Sequence, residues 1–195
     1  MTLAASAAAI IAIALMCATA TARNLSISNQ QLRANFRELR YSGLFGTYVC
    51  QVTLEGSLHS RTIAKVVGQL IGYITTVRLG PCATGTATML SETLPWHVQY
   101  RGFSGALPDI TRIETDIINY SFRIRTPEGF NCLMRSTPEQ PSTGESARNI
   151  TTQQITTATI GGTIDTSCGI PVSLSSDFGP VRLLLSGGLV FVRLI

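Results

Sequence analysis

A chain of 195 residues with 13% charged side chains and a formal net charge of +4 has one domain's length and too little charge for a disordered tail. The positive charge comes from fourteen arginines and one lysine, Lys65, spread along the chain with no block of five like charges. Without a clustered basic stripe interleaved with aromatics, a nucleic-acid partner is excluded.

Residues 1–22 carry no charged side chain, and residues 4–20 are almost entirely Ala, Ile, Leu and Met. The chain then reads Ala20-Thr21-Ala22-Arg23, with the small residues at −3 and −1 that a signal peptidase accepts. Residues 1–22 are therefore expected to be a signal peptide, with an uncleaved anchor as the alternative. The apolar run is marginal for a spanning helix, which needs about 20 predominantly apolar residues. Its start is atypical in having no Lys or Arg. Cys17 follows Met16, where a lipid-attachment motif would have Gly, Ala or Ser, so it reads as an ordinary apolar residue. The expected location is secreted or extracytoplasmic, at the cell envelope. Residues 23–195 are expected to form a single disulfide-containing β domain with no integral membrane insertion after cleavage.

That domain reads as mainly β. Over 32–41, Leu32, Ala34 and Phe36 alternate with Arg33, Asn35 and Arg37, and Leu39 and Tyr41 continue one residue out of step. This suggests a strand with a bulge; a short helix over 30–40 competes. In 47–58, Val52, Leu54, Gly56 and Leu58 share one face and Gln51, Thr53, Glu55 and Ser57 the other, a half-buried strand. Over 61–74 the period changes. Ile63, Val66, Val67, Leu70, Ile71 and Ile74 follow a helical spacing, with Ser60 as a cap and Gly72 as a stop. One short amphipathic helix is predicted at about 61–72. Residues 73–79 and further short segments at 86–90, 96–103, 110–118, 120–126, 130–135, 154–164, 172–175, 181–186 and 189–194 read as strands separated by turns. Residues 136–149 (STPEQPSTGESARN) contain no large apolar side chain and read as a flexible exposed loop. Many short strands with turns between them indicate a single β-barrel or β-sandwich, and the pattern does not choose between them.

Four cysteines follow residue 22: Cys50, Cys82, Cys132 and Cys168. An even count in an exported chain reads as two disulfides. Of the three connectivities, the nested Cys82–Cys132 with Cys50–Cys168 is favoured, because it would tie the first half of the domain to the last. With only two histidines and no Cys-x-x-Cys pair, no metal is expected, and nothing in the chain calls for a cofactor.

Glu55, Ser57 and His59 are three catalytic residue types within five positions. Alternate residues on one strand stand about 6.6 Å apart and point the same way, too far for the contacts of a triad. His97 lies on the face opposite Trp96, Val98 and Tyr100, which reads as surface if Trp96 is core. Gly102-Phe103-Ser104-Gly105 lacks the spacing of a nucleophile elbow. Two Leu-Pro dipeptides, Leu94-Pro95 and Leu107-Pro108, bracket this strand, and Trp96, His97, Tyr100 and Phe103 are its candidate ligand-site lining. No catalytic residue is assigned.

The stretches Val52-Thr-Leu-Glu-Gly-Ser-Leu-His-Ser-Arg-Thr-Ile-Ala-Lys65 and Leu94-Pro-Trp-His-Val-Gln-Tyr-Arg-Gly-Phe-Ser-Gly-Ala-Leu-Pro108 resemble segments of an uncharacterised group of exported proteins from high-GC Gram-positive bacteria. The resemblance implies export and carries no activity or site residue with it. Three functions then compete. The first is a non-enzymatic binding or structural module of the cell envelope or extracellular space, with envelope components as partners. The second is a small β-barrel enclosing an apolar small molecule, and the third an exported hydrolase using His59 or His97. An outer-membrane barrel fits less well, because aromatics are only 7% and the last residue is Ile195.

Overall fold

Apolar and polar residues alternate along most of the chain, and the structure resolves that alternation into strands paired edge to edge. The computed structural model describes residues 24–195; the segment 1–22 expected to be a signal peptide, its expected cleavage position and Cys17 lie outside the described residues. The strands begin with β1 (Asn24–Ile27), β2 (Gln31–Gly43), β3 (Gly46–Leu58), β4 (Thr62–Ala64) and β5 (Leu70–Cys82). They continue with β6 (Thr86–Met89), β7 (Trp96–Ala106), β8 (Asp109–Ile118), β9 (Ser121–Arg125) and β10 (Asn131–Arg135). The last five are β11 (Ser142–Arg148), β12 (Gln154–Thr166), β13 (Val172–Ser176), β14 (Gly179–Leu183) and β15 (Val190–Leu194). Among the described residues, the one helical element is a single 3₁₀ turn at Ser91–Thr93.

Every pairing is antiparallel, and the ladder returns to its start. It runs β2–β3–β5–β7–β8–β11–β12, and β12 then pairs on its other edge with β13 and β14, which both pair back to β2. Two smaller groups lie off this circuit. Strands β6, β9 and β10 form a three-stranded sheet joined to β12 through Met134 and Arg135. Strand β1 pairs with both β4 and β15, and β15 meets β12 at Gln154 and Ile155.

Each small group buries an apolar face against one part of the circuit. Phe122, Ile124, Cys132 and Met134 of the three-stranded sheet pack with Tyr41, Trp96 and Tyr120 in one cluster. Leu25, Ile27, Ile63, Val190 and Val192 pack with Tyr100, Ile110, Ile113 and Ile155 in a second. The two groups therefore stopper the circuit at separate places. In the first cluster the Trp96 ring lies 4.9 Å from Tyr120 and 5.4 Å from Phe122, centroid to centroid, and the Tyr41 and Tyr120 hydroxyls bond to each other. In the second, the buried Arg148 has no carboxylate partner among the described residues. Its Nε donates to the Val192 carbonyl at 2.8 Å and its Nη1 to the Ile110 carbonyl at 2.9 Å, pinning β15 and β8 together.

The irregularity expected in β2 is present as a register shift between Phe36 and Leu39. The Asp177 carboxylate accepts hydrogen bonds from the backbone N–H groups of Arg37 and Glu38, at 3.3 Å each, so the donors freed by the bulge are satisfied. Strands β3 and β5 approach so closely that side chains are excluded from two positions. A Cβ on Gly56 would sit 2.4 Å from the Tyr73 carbonyl oxygen, and one on Gly72 2.5 Å from that of Ser57.

Three expectations are corrected. The helix at 61–72 is absent. Ile63 lies on β4 opposite Leu25, Val66 and Val67 are 58% and 73% exposed in a turn, and Gly68 has φ of +79°. The helical spacing is the sum of the short strand β4, the turn after it and the start of the long strand β5. Ile63, Val66, Val67 and Ile71 are β-branched and favour extended backbone, and β1 offers a partner edge. The flexible loop at 136–149 is also overturned in its second half, where β11 pairs with both β8 and β12. Its inward positions are Ser142, Gly144, Ser146 and Arg148, so no apolar alternation marks it.

The disulfides are Cys50–Cys82 and Cys132–Cys168, not the nested pair. Cys50 and Cys82 face each other across β3 and β5, with Cα atoms 4.0 Å apart. The two halves of the chain need no covalent tie, because the ladders of β2 with β13 and β14 already join them.

Two predictions follow from this packing. Each disulfide closes a loop of more than thirty residues, worth about 4 kcal/mol by chain entropy, so Cys50→Ala with Cys82→Ala should lower Tm by roughly 8–15 °C in calorimetry. Burial pushes the phenols of Tyr41 and Tyr120 well above their ordinary value. The folded state then keeps protons that the unfolded chain sheds above about pH 10, so the stability is whole below that pH and falls as pH rises past it. Denaturant titrations between about pH 9 and 11.5 should show that fall, and a shallower one in Tyr41→Phe with Tyr120→Phe.

Candidate functional site

The two apolar clusters do not fill the circuit. Between them lies a cavity of about 160 Å³. Its wall carries residues from β2, β3, β5, β7, β8, β11, β12 and β14, and the space is open to solvent on one side. Ala34, Val98 and Ala158 line it and touch both clusters, which places it between them.

The space exists because short side chains coincide in register. Ala34 stands opposite Leu54 and Val181; Ser146 stands opposite Ala158; Gly144 stands opposite both Thr115 and Ile160. Phe36, Leu54, Ile74 and Ile117 close the wall on one side and Leu32, Leu58 and Val181 on the other. The surface of the wall is mainly apolar, but Arg33, Glu55, Ser57, Glu145 and Thr159 also border it. Thr115 donates its hydroxyl to the Gly144 carbonyl at 3.2 Å, and Gln30 Nε2 donates to the Leu58 carbonyl at 3.0 Å. The Ser146 hydroxyl has no hydrogen-bond partner among the described residues.

None of the four residues read as candidate ligand lining borders this cavity. Trp96 is fully buried in the aromatic stopper, its Nε1 donating to Thr93 Oγ1 at 3.0 Å. Tyr100 is buried in the opposite stopper, and its hydroxyl is unpartnered there. Phe103 is half-buried with the Lys65 ammonium 5.4 Å from its ring centroid. His97 lies on the outer face. Val98, between Trp96 and Tyr100 in direction along the strand, is the β7 residue that reaches the space. Sequence reasoning went to the bulky aromatics, whereas the cavity is made by the small inward residues. The signal that could have found it is Ala, Gly or Ser at the inward positions of otherwise apolar strands.

The outer face holds the polar chemistry. Ser57 and His97 stand opposite Tyr73 from either side, and the Tyr73 ring contacts both imidazoles, at 4.7 Å from His59 and 5.2 Å from His97. No carboxylate or hydroxyl among the described residues hydrogen-bonds to either imidazole. Glu55 is buried under Arg33, which pairs with it at 2.8 Å, and lies 3.9 Å from Arg78. The trio of Glu55, Ser57 and His59 is thus split between an ion pair and an aromatic contact and forms no catalytic relay. Among the described residues no three His, Cys, Asp or Glu side chains converge as metal ligands. Further ion pairs, Arg101 with Asp116 and Arg112 with Glu145, continue around the outside.

Filling the space is the direct check on its origin. Ala158→Leu puts three methyl-sized groups toward an empty volume, so it should leave Tm unchanged or raise it, whereas the same change in a filled core costs about 1–3 kcal/mol. Thermal unfolding followed by far-UV circular dichroism reads the sign. Against known proteins, the chain matches no protein-family model, no curated protein and no solved structure.

Proposed function

We propose that the chain is an extracytoplasmic β-barrel that binds one small, mainly apolar molecule in its interior. The observation that carries this reading is the cavity of about 160 Å³ left by small inward residues between two tightly packed stoppers. A purely structural module gains nothing from an internal void, since each lost contact there weakens packing. A larger residue at position 34 or 158 would fill it. An apolar cavity of about 150 Å³ accommodates a molecule the size of benzene. The wall therefore fits a ligand with a single ring or a short branched chain. The unpartnered Ser146 hydroxyl suits one hydroxyl or carbonyl group on that ligand.

The closed circuit of pairings supports barrel over sandwich, because closure removes free edges from the main ladder. The side-chain pattern supports a barrel surrounded by water. Its two side-chain clusters are apolar, and the half-exposed Arg101 and Arg112 pair with acids on the outside. A transmembrane barrel has the reverse arrangement. Two disulfides favour an oxidising, extracytoplasmic environment, and with the N-terminal apolar segment they support export.

Methyl NMR of the full chain against a panel of small aromatic and branched aliphatic alcohols and ketones tests the reading. Binding should shift the methyls of Val98, Ile117 and Val181 together, and Ala158→Phe should abolish the shift while leaving the circular dichroism spectrum intact. If no panel member moves those methyls, or if Ala158→Phe binds as before, the ligand role is wrong.

A further inference from the structure

A groove on the outside of the circuit backs onto the cavity across β11 and β12, and Glu145, Ala158 and Thr159 border both spaces. Four strands form it. Arg112 on β8 stands opposite Ala147 on β11, Ala147 opposite Thr157 on β12, and Thr157 opposite Pro180 on β14. In the next outward row Glu145 stands opposite Thr159. Ala147, Thr157 and Thr159 are short, so a space of about 190 Å³ remains above them. The Arg112–Glu145 ion pair, at 3.1 Å, walls one side, and Phe178, just before β14, walls the other.

Phe178 is 73% exposed, yet the backbone on both sides of it is anchored. Ser176 Oγ accepts from the Ile160 N–H at 2.7 Å and donates to the Asp177 carbonyl at 2.9 Å. The Asp177 N–H donates to the Glu38 carbonyl at 3.0 Å, and its carboxylate is held by the backbone of the β2 bulge. A Cβ on Gly179 would lie 2.5 Å from the Asn35 carbonyl oxygen, so the chain is pressed against β2 directly after the ring. A lone apolar side chain on a surface needs no explanation. This one is presented by a fixed corner at the rim of a groove.

We propose that this groove binds one ring of a neutral saccharide. A pyranose has an apolar face of C–H bonds and a rim of hydroxyls, and the groove offers a partner to each. The C–H face packs on the Phe178 ring, whose electron-rich face attracts polarised C–H groups. The Thr157 and Thr159 hydroxyls have no hydrogen-bond partner among the described residues and can both donate and accept. Arg112 adds donors and Glu145 acceptors. Among the described residues these two are the charged groups lining the groove, and they compensate each other, which favours an uncharged ligand over an anion or a cation. The space is smaller than the roughly 300–1,000 Å³ of a drug-sized pocket, so one ring enters and the rest of a glycan lies in solvent.

Titration calorimetry and saturation-transfer NMR of the full chain with methyl glucoside, methyl galactoside, methyl mannoside and N-acetylglucosamine test this. At least one should bind with Kd of about 1 mM, the affinity of a single-ring contact. Glucuronate should bind at least about threefold more weakly than methyl glucoside. Phe178→Ser should weaken binding at least about fivefold, and Thr157→Val with Thr159→Val at least about threefold, both with an unchanged circular dichroism spectrum. The methyls of Val98, Ile117 and Val181, which border the cavity, should stay in place as the sugar binds. No binding of any of these sugars at about 20 mM, undiminished binding by either variant, or glucuronate binding as tightly as the glucoside would overturn the proposal. So would movement of the cavity methyls, which would put the sugar in the interior. A dimer of the parent chain in sedimentation velocity that Phe178→Ser dissociates would also overturn it, by assigning the ring to a second copy.

Discussion

Strand β12 hydrogen-bonds from both of its edges. Residues 155–161 pair with β11 on one side, and residues 157–164 pair with β14 and β13 on the other. Because β13 and β14 pair back to β2, this double engagement turns a long antiparallel ladder into a closed circuit. Closure fixes which side chains point inward on every strand of the ladder, since a one-residue slip would exchange the two faces. The disulfides, the ion pairs on the outside and the two stoppers act on a frame that the pairings of β12 have already set.

The interior then divides by residue size. Where inward residues are large, as at Tyr41, Trp96, Tyr120 and Phe122, the ends are packed solid. Where they are small, as at Ala34, Gly144, Ser146 and Ala158, a space remains. The two clusters hold several of the large aromatic side chains, whereas Phe36 and Tyr73 are the aromatics bordering the cavity. The outer face is chemically busier, yet both histidines contact the Tyr73 ring, and Arg33, Arg101 and Arg112 pair with acids. Binding in the interior is therefore the function that the side-chain distribution favours over catalysis on the surface.

Much of the strand content was legible in the amino-acid order, because half-buried antiparallel strands alternate with period two. Residues 47–58 showed this directly, and the slip after Phe36 announced the bulge that Asp177 completes. Strand β11 was not legible, because its inward positions are Ser142, Gly144, Ser146 and Arg148 and so carry no apolar signal. The region around Val66 and Val67 misled in the opposite way: two strands and a tight turn summed to a helical spacing that only the partner edge of β1 breaks. The cysteine pairing depended on which strands are neighbours, and that is a property of the closed circuit and not of spacing along the chain. The cavity escaped notice for a related reason. It is lined by residues of eight strands, with small ones on β2, β11 and β12, that come together only when those strands pair.

Amide hydrogen exchange along β12 tests the closed circuit most directly. If β12 is paired on both edges, the backbone N–H groups at 157–161 are all protected, odd and even residues alike. If instead protection alternates along these residues, with every second amide exchanging at the rate of an exposed edge strand, then β12 has a free edge and the circuit is open.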